Sequence, residues 1–360
     1  MNYKRIVIKI GSNVLTRKDG TLDTTRISAL VDQIAELHKD GLEIILVSSG
    51  AVASGRSEIN AKGKLDNVSS RQLYSAVGQA KLSNHYYDLF RKHSIACGQV
   101  LTTKESLSTR MHYLNQKNCM SVMLENNVIP IMNENDTISV TELMFTDNDE
   151  LSGMVATMMN AEALILLSNV NGIYNGSPDD PKSELIQTIQ PGKNDISKSI
   201  QATKSAFGRG GMQTKYRIAS KVADEGIEVI IANGKTENIL SKLIKEQSTN
   251  CTRFVPSQKG VSNMKKWIAH SDGFAKGEIH INAGAKDALL KERASSLLSV
   301  GIIDIKGEFE KYDIVKILDE TGQSLGVGRV SFASKQVREL IGKKGNKPIV
   351  HYDYLYLESD

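Results

Sequence analysis

Cysteine is scarce in this 360-residue chain: Cys97, Cys119 and Cys251 stand far apart and are odd in number. That pattern argues against a disulfide framework and fits a reducing compartment. None of the seven histidines pairs with a cysteine at ligand spacing, so a structural zinc site of the finger type is not expected. Long apolar runs are lacking too. Nothing approaches the roughly 18 residues of a membrane span, and no membrane partner is expected. The opening "MNYKRIVIKIGSN" has early charges, but its apolar run is short and no small-residue cleavage site follows. It reads as a first strand, and the chain as a cytoplasmic protein. The net charge of +4, from 45 Lys and Arg against 41 Asp and Glu, is too small to point to nucleic acid. At 40% hydrophobic and 24% charged residues the composition is that of an ordinary globular protein. Its length suggests two domains.

What is present is an alternation. "RIVIKI" (5–10), "LEIILVSS" (42–49), "SIACGQVL" (94–101), "VIPIMNE" (128–134), "ALILLSNV" (163–170) and "IEVIIAN" (227–233) are short apolar strands. Between them lie stretches with helical spacing: 24–40, where Ile27, Leu30, Val31, Ile34 and Leu37 repeat, then about 70–93, 109–127, 148–161, 213–226 and, last, 236–245. Such alternation predicts an α/β fold with a mostly parallel sheet sandwiched by helices. Ligands of such sheets bind beyond the carboxyl ends of the strands. After about Pro256 the rhythm changes. Residues 1–255 form one predicted domain, 256–275 a lysine-bearing linker, and 276–357 a small, mostly β domain of short glycine-punctuated strands with two short helices.

Each strand end of the first domain carries a suggestive loop. They are "KIGSNVL" with Lys9, "SSGAVASGR" with Ser49 and Gly50, "NENDT" with Asn133 and Asp136, "TDNDELS" with Asp147, Asn148 and Asp149, "SNVNGIYNGSPDDP" after "ALILL", and "GRGGMQTK". A glycine after a strand serves equally as a plain turn, and Asp147 equally as a helix N-cap. Lys9 is the sharper oddity. It interrupts a buried apolar strand, where lysine seldom sits without a partner; it either snorkels to the surface or points into the crevice.

Small residues allow an anion close to backbone N–H groups, and a helix N-terminus attracts it. "GRGG" leading into the 213–226 helix offers both, with Lys215 in the first turn. Two lysines around a phosphoryl group suit phosphoryl transfer, which rests mainly on positioning and charge stabilisation. Asp149 is placed to hold Lys9 and Lys215 apart. Asn133, Asp136 and Asn148 suit a small zwitterion such as an amino acid. The order is not that of a Walker A loop, because Gln213 and Thr214 precede Lys215. Nor is "KIGSNVL" a dinucleotide fingerprint, since the second and third spaced glycines are missing.

Taken in order, "KIGSNVL", "SSGAVASGR", "NENDT", "TDNDELS" and "GRGGMQTK", followed by a small β domain, resemble the amino acid kinase family. Within it they are most similar to the branch that ends in a PUA-type domain and acts on free glutamate. The resemblance covers roughly residues 3 to 355. It implies ATP-dependent phosphorylation of the L-glutamate side-chain carboxylate to L-glutamyl 5-phosphate, the first step of proline biosynthesis. It implies that Lys9 and Lys215 stabilise the transferring phosphoryl group and that Asp149 organises them. By the same resemblance Ser49, Gly50, Asn133, Asp136 and Asn148 bind glutamate. Lys9, Ser168, Asn169, Arg209, Gly210, Gly211, Met212, Gln213, Thr214 and Lys215 bind ATP, with Mg2+ riding on the phosphates. Feedback inhibition by proline and assembly as a homodimer or homotetramer are also implied.

Three stretches depart from the family pattern: Ser168-Asn169 for Thr-Asp, Arg209 for Thr, and Thr146-Asp147 for Gly-Asp. Arg209 either adds a cation near the phosphates or faces solvent. Two other readings are open: another family member acting on acetylglutamate, aspartate, carbamate or UMP, and an RNA-binding protein acting through the tail. Charge argues against the second. From Lys276 to Asp360, 13 Lys and Arg less 13 Asp and Glu leave zero, without the basic footprint of an RNA binder.

Overall fold

The computed structural model describes residues 3–61, 63–107, 109–138, 148–178, 180–191, 211–246, 248–258, 267–268, 271, 274–290, 295–343 and 347–357. The chain divides into two compact units, Met1–Gly260 and Val261–Asp360.

The first unit is built on an eight-stranded sheet. Its strands are β1 (Arg5–Ile10), β2 (Glu43–Ser48), β3 (Ala96–Thr102), β4 (Val128–Glu134), β5 (Ala163–Ser168), β6 (Thr188–Ile189), β7 (Glu228–Asn233) and β8 (Cys251–Phe254), in the order β3-β4-β2-β1-β5-β7-β8-β6. All neighbours run parallel except β7 and β8. The chain runs from β1 to β2, on to β3 at the edge and back to β4 between β3 and β2, and then crosses to β5 on the other side of β1. The order therefore reverses beside β1, which is where sheets of this kind bind ligands, at the carboxyl ends of the strands. Register brings those ends level: Ile10 pairs with Ser48 and with Leu167, and Ser168 with Asn233.

Side-chain alternation along β1 sorts the two faces. Ile6, Ile8 and Ile10 enter a core cluster with Ile27, Leu30 and Ile34 from α2 (Thr24–Lys39), whose first turn is capped by Asp23. That stripe is the one its spacing predicts. Val7 and Lys9 point to the opposite face, toward α6 (Asn148–Met158), which is buried at Asp149 and from Leu151 onward.

Several elements differ from expectation. Two short helices, α1 (Ser12–Leu15) and α3 (Ala51–Arg56), follow directly on Gly11 and Gly50; both are too short for a periodicity signal. The helix predicted from about 70 is α4 (Asn67–Lys92), begun by Asp66, whose carboxylate accepts from the N–H groups of Val68 and Ser69. Stretch 236–245 is only a short α8 (Ile239–Ser241) followed by a π-turn at Lys242–Glu246. Asn238 adopts a left-handed φ of 52° there, which no helix interior tolerates. Strand β8, antiparallel to β7, was not anticipated: four residues leave too brief a pattern. Helix α5 (Arg110–Glu125) lies within its predicted span, and α7 (Met212–Asp224) starts one residue before its own.

The second unit holds a five-stranded sheet, β10 (Ile302–Gly307), β9 (Gly277–Ile281), β11 (Ile314–Leu318), β12 (Ser324–Val330) and β13 (Val350–Leu357) in that spatial order, parallel only between β9 and β11. Ile279, Ile281, Val315, Ile317 and Val330 centre its core. Helices Ala283–Leu290 and Ser334–Leu340 accompany it.

Candidate active site

The buried lysine of β1 has a partner. Lys9 Nζ lies 2.5 Å from Asp149 Oδ1, and Lys215 Nζ lies 2.8 Å from Asp149 Oδ2. One carboxylate thus separates two ammonium groups, each on its own oxygen. All three side chains are buried, Asp149 at 1% exposure. Burial pushes the Asp149 carboxyl up, but Lys9 and Lys215 more than offset this and hold it well below the ordinary carboxylate range. Packing explains the meeting. A Cβ on Gly153 of α6 would come within 2.9 Å of Ile218 and 3.1 Å of Val222 on α7. The two helices cross closely there, one turn beyond Asp149 and Lys215 respectively.

Gly11 sits at the end of β1, where its N–H donates to Leu167 O. A Cβ there would stand 3.0 Å from that oxygen and 3.6 Å from Lys9 Nζ. The space over the ammonium is open because residue 11 has no side chain, and it suits a phosphate oxygen.

A second constellation lies beside the first. Asn148, next to Asp149, donates from Nδ2 to Ser49 Oγ at 3.0 Å, Asn133 Oδ1 at 3.0 Å and Ser48 O at 3.1 Å. It ties the ends of β2 and β4 to the start of α6. Ser48 is itself anchored by Tyr86, whose hydroxyl is 2.9 Å from Ser48 Oγ and is pushed up to about 12 by burial. Gly50 begins α3 with a φ of 101°, a left-handed conformation that glycine takes without strain.

Asp136 is placed differently from the asparagines. It pairs with Arg71 of α4, and the same Arg71 nitrogen lies 3.2 Å from Glu134. Burial lifts the Asp136 carboxyl above its ordinary value, and Arg71 opposes that lift. Sequence reasoning missed Arg71 and Gln79, whose side-chain oxygen accepts from Asn133 Nδ2 at 2.8 Å. Their signal was faint: polar residues on α4 at 71 and 79, two turns apart on one face, within a helix read only for its apolar positions.

On the other side, Ser168 ends β5 and accepts the Gly234 N–H at its carbonyl, while Asn169 is exposed just beyond it. Gly211 caps α7, and Met212, Gln213 and Thr214 form its first turn with Lys215. Arg209, Gly210, Thr146 and Asp147 lie outside the described residues. Among the described residues, no group of three or more His, Cys, Asp or Glu is placed to hold a metal ion, and no helix is long and apolar enough to cross a membrane.

The amino acid kinase family model matches residues 4–233, which include Lys9, Asp149 and Lys215, and the PUA domain model matches 277–352. The chain belongs to the amino acid kinase family. Among family relatives it is 69% identical over 357 residues to a glutamate 5-kinase of Bacteroides thetaiotaomicron, covering 99% of both chains. It is 45% identical over 356 residues to a glutamate 5-kinase of Chlorobaculum tepidum, covering 99% of this chain and 98% of that one. The fold of the first unit is also that of a carbamate kinase from Giardia lamblia bound to AMP-PNP. That likeness has a TM-score of 0.52 at 18% identity, over 71% of this chain and 99% of the other.

Proposed function

We propose that this family member transfers the γ-phosphoryl group of ATP to the side-chain carboxylate of L-glutamate, forming L-glutamyl 5-phosphate at the first step of proline biosynthesis. The observation that carries the reading is the Lys9–Asp149–Lys215 bridge, in a chain alike from end to end to glutamate 5-kinases. At neutral pH the glutamate carboxylate is already ionised and nucleophilic, so no general base is needed. The difficulty is bringing two anions together. Lys9 and Lys215 offset their repulsion, and the backbone N–H groups at the start of α7 receive phosphate oxygens. Asp149 holds the two ammonium groups apart and aimed. Asn148, Ser49 and Asn133 hold the amino acid, with Asp136 facing its ammonium group. Ser168, Asn169 and residues 209–215 form the nucleotide side. Mg2+ bound to the ATP phosphates neutralises part of their charge.

We further propose inhibition by proline, which shares an α-carboxylate and a cationic nitrogen with glutamate and competes for the same groups. A homodimer or homotetramer is supported by Met111, Leu114 and Val122, exposed on α5, and by Leu101, exposed on edge strand β3. The free thiols of Cys97, Cys119 and Cys251 support a cytoplasmic setting.

The test is ADP release with each acid in turn, trapping the acyl phosphate with hydroxylamine. Glutamate is expected to drive both ADP release and hydroxamate formation. Turnover with acetylglutamate, aspartate, carbamate or UMP in its place would overturn the assignment.

A further inference from the structure

Helix α4 touches both loops that face the amino acid. Toward α3 the contact is backbone on backbone. A Cβ on Gly55 would fall 1.9 Å from Tyr74 O, and one on Gly78 would fall 1.8 Å from Ala51 O. Helix α3 starts immediately after Ser49 and Gly50, so α4 fixes where that loop stands. Toward the "NENDT" loop the contact is polar. Gln79 receives Asn133, Gln72 Nε2 donates to Thr137 O at 2.8 Å, and Arg71 meets Glu134 and Asp136.

The Arg71 contact is the one with chemical consequence. Glu134 is 2% exposed, Asp136 11% and Arg71 19%. Two nearly buried carboxylates so close would favour a shared proton over two charges. A guanidinium nitrogen between them offsets their mutual repulsion, and it fixes the direction in which the Asp136 carboxylate points. A neutral or turned Asp136 receives an ammonium group poorly.

We propose that Arg71 is a positioning residue for the amino acid substrate. It holds Asp136 as an oriented carboxylate for the substrate's α-ammonium group and so sets the preference for an amino acid over a plain dicarboxylic acid. This rests on the glutamate reading above. Arg71 touches no reacting atom and acts through Asp136. The bridge uses a single nitrogen, so a lysine at 71 retains the function.

The experiment compares L-glutamate with glutarate, the same diacid without the amino group, as substrate or, where it is not turned over, as competitive inhibitor. Arg71→Met is expected to weaken use of glutamate at least ten-fold and to lower the glutamate-to-glutarate preference by a similar factor. Arg71→Lys restores most of that preference. Arg71→Gln, closer in length and hydrogen bonding, reads the same ratio should the methionine variant fail to fold. In an Asp136→Asn background, Arg71→Met adds little further loss.

A merely structural role would weaken glutamate and glutarate alike and leave their ratio unmoved. That result, or a lysine variant as impaired as the methionine one, would overturn the assignment of Arg71. A wild-type enzyme releasing no ADP with glutamate brings down the glutamate reading and this inference together. An active wild type with an unmoved ratio in the variants brings down Arg71 alone.

Discussion

Replacing Asp149 by asparagine tests the centre of the site by stability as well as by rate. The amide keeps the volume of the carboxylate but removes its charge, and its NH2 end faces an ammonium group that can only donate. Lys9 and Lys215 are left 6% and 11% exposed with no anion between them. Breaking a buried ion pair by removing one partner costs about 3–5 kcal/mol, chiefly from the uncompensated charge. For a unit of this size each kcal/mol lowers Tm by roughly 2–4 °C. Asp149→Asn should therefore melt roughly 6–20 °C below wild type without nucleotide. ATP should then rescue the variant more than it stabilises wild type, because its phosphates supply the missing anion and ligand binding shifts the folding equilibrium by mass action. The pH dependence has a definite sign. A carboxyl held below its ordinary value in the folded state contributes stability that is complete above the unfolded value, about 3.9, and is lost as pH falls toward the folded one. The gap between wild type and variant should hold steady at neutral and mildly acid pH and close only below about pH 4. Differential scanning fluorimetry across pH, with and without ATP, measures all three. A neutral-pH gap under about 2 °C, less than 1 kcal/mol on the same scale, would refute the claim that Asp149 compensates two buried charges. So would a gap that closes between pH 7 and pH 5.

Lys9→Ala and Lys215→Ala should each cut kcat by about 10²–10³-fold, the usual loss on removing one transition-state donor, with a much smaller change in the glutamate KM. Asp136→Ala should show the reverse. Steady-state kinetics in which either lysine variant raises only the glutamate KM would sink the phosphoryl-stabilising role. Gly78→Ala forces a methyl group against the Ala51 carbonyl and should cost about 1–3 kcal/mol by overpacking. Because α3 must shift to admit it, the glutamate KM should rise along with the loss of Tm, and an unchanged KM would mean that α4 does not set the Ser49 loop.

The fold was largely legible in the chain. Short apolar strands and the stripe from Ile27 to Leu37 are signals within one or two turns, and the structure places β1, β2, β5, β7 and α2 within a residue or two of expectation. Lys9 was legible as a break in an apolar strand, and the glycines beside it as room for an anion. What escaped had little local signal. Helix α3 is six residues long, β8 is four, and Asn238 delays the start of a helical pattern by a backbone turn that apolar spacing does not encode. Arg71 looked like any polar position on a long helix.

The sequence by itself determined which groups are available: two lysines out of pattern, a run of asparagine and aspartate at strand ends, and glycines where side chains would intrude. Hydrophobic period and turn chemistry act over a few residues, and these assignments need no more than that. Only the tertiary structure decided which groups meet. Asp149 is 140 residues from Lys9 and 66 from Lys215, and Arg71 is 65 from Asp136. Those meetings come from the parallel register of β1 with β2 and β5, the close crossing of α6 and α7 at Gly153, and the packing of α4 on α3. Each depends on surfaces that exist only once the sheet and its helices have assembled.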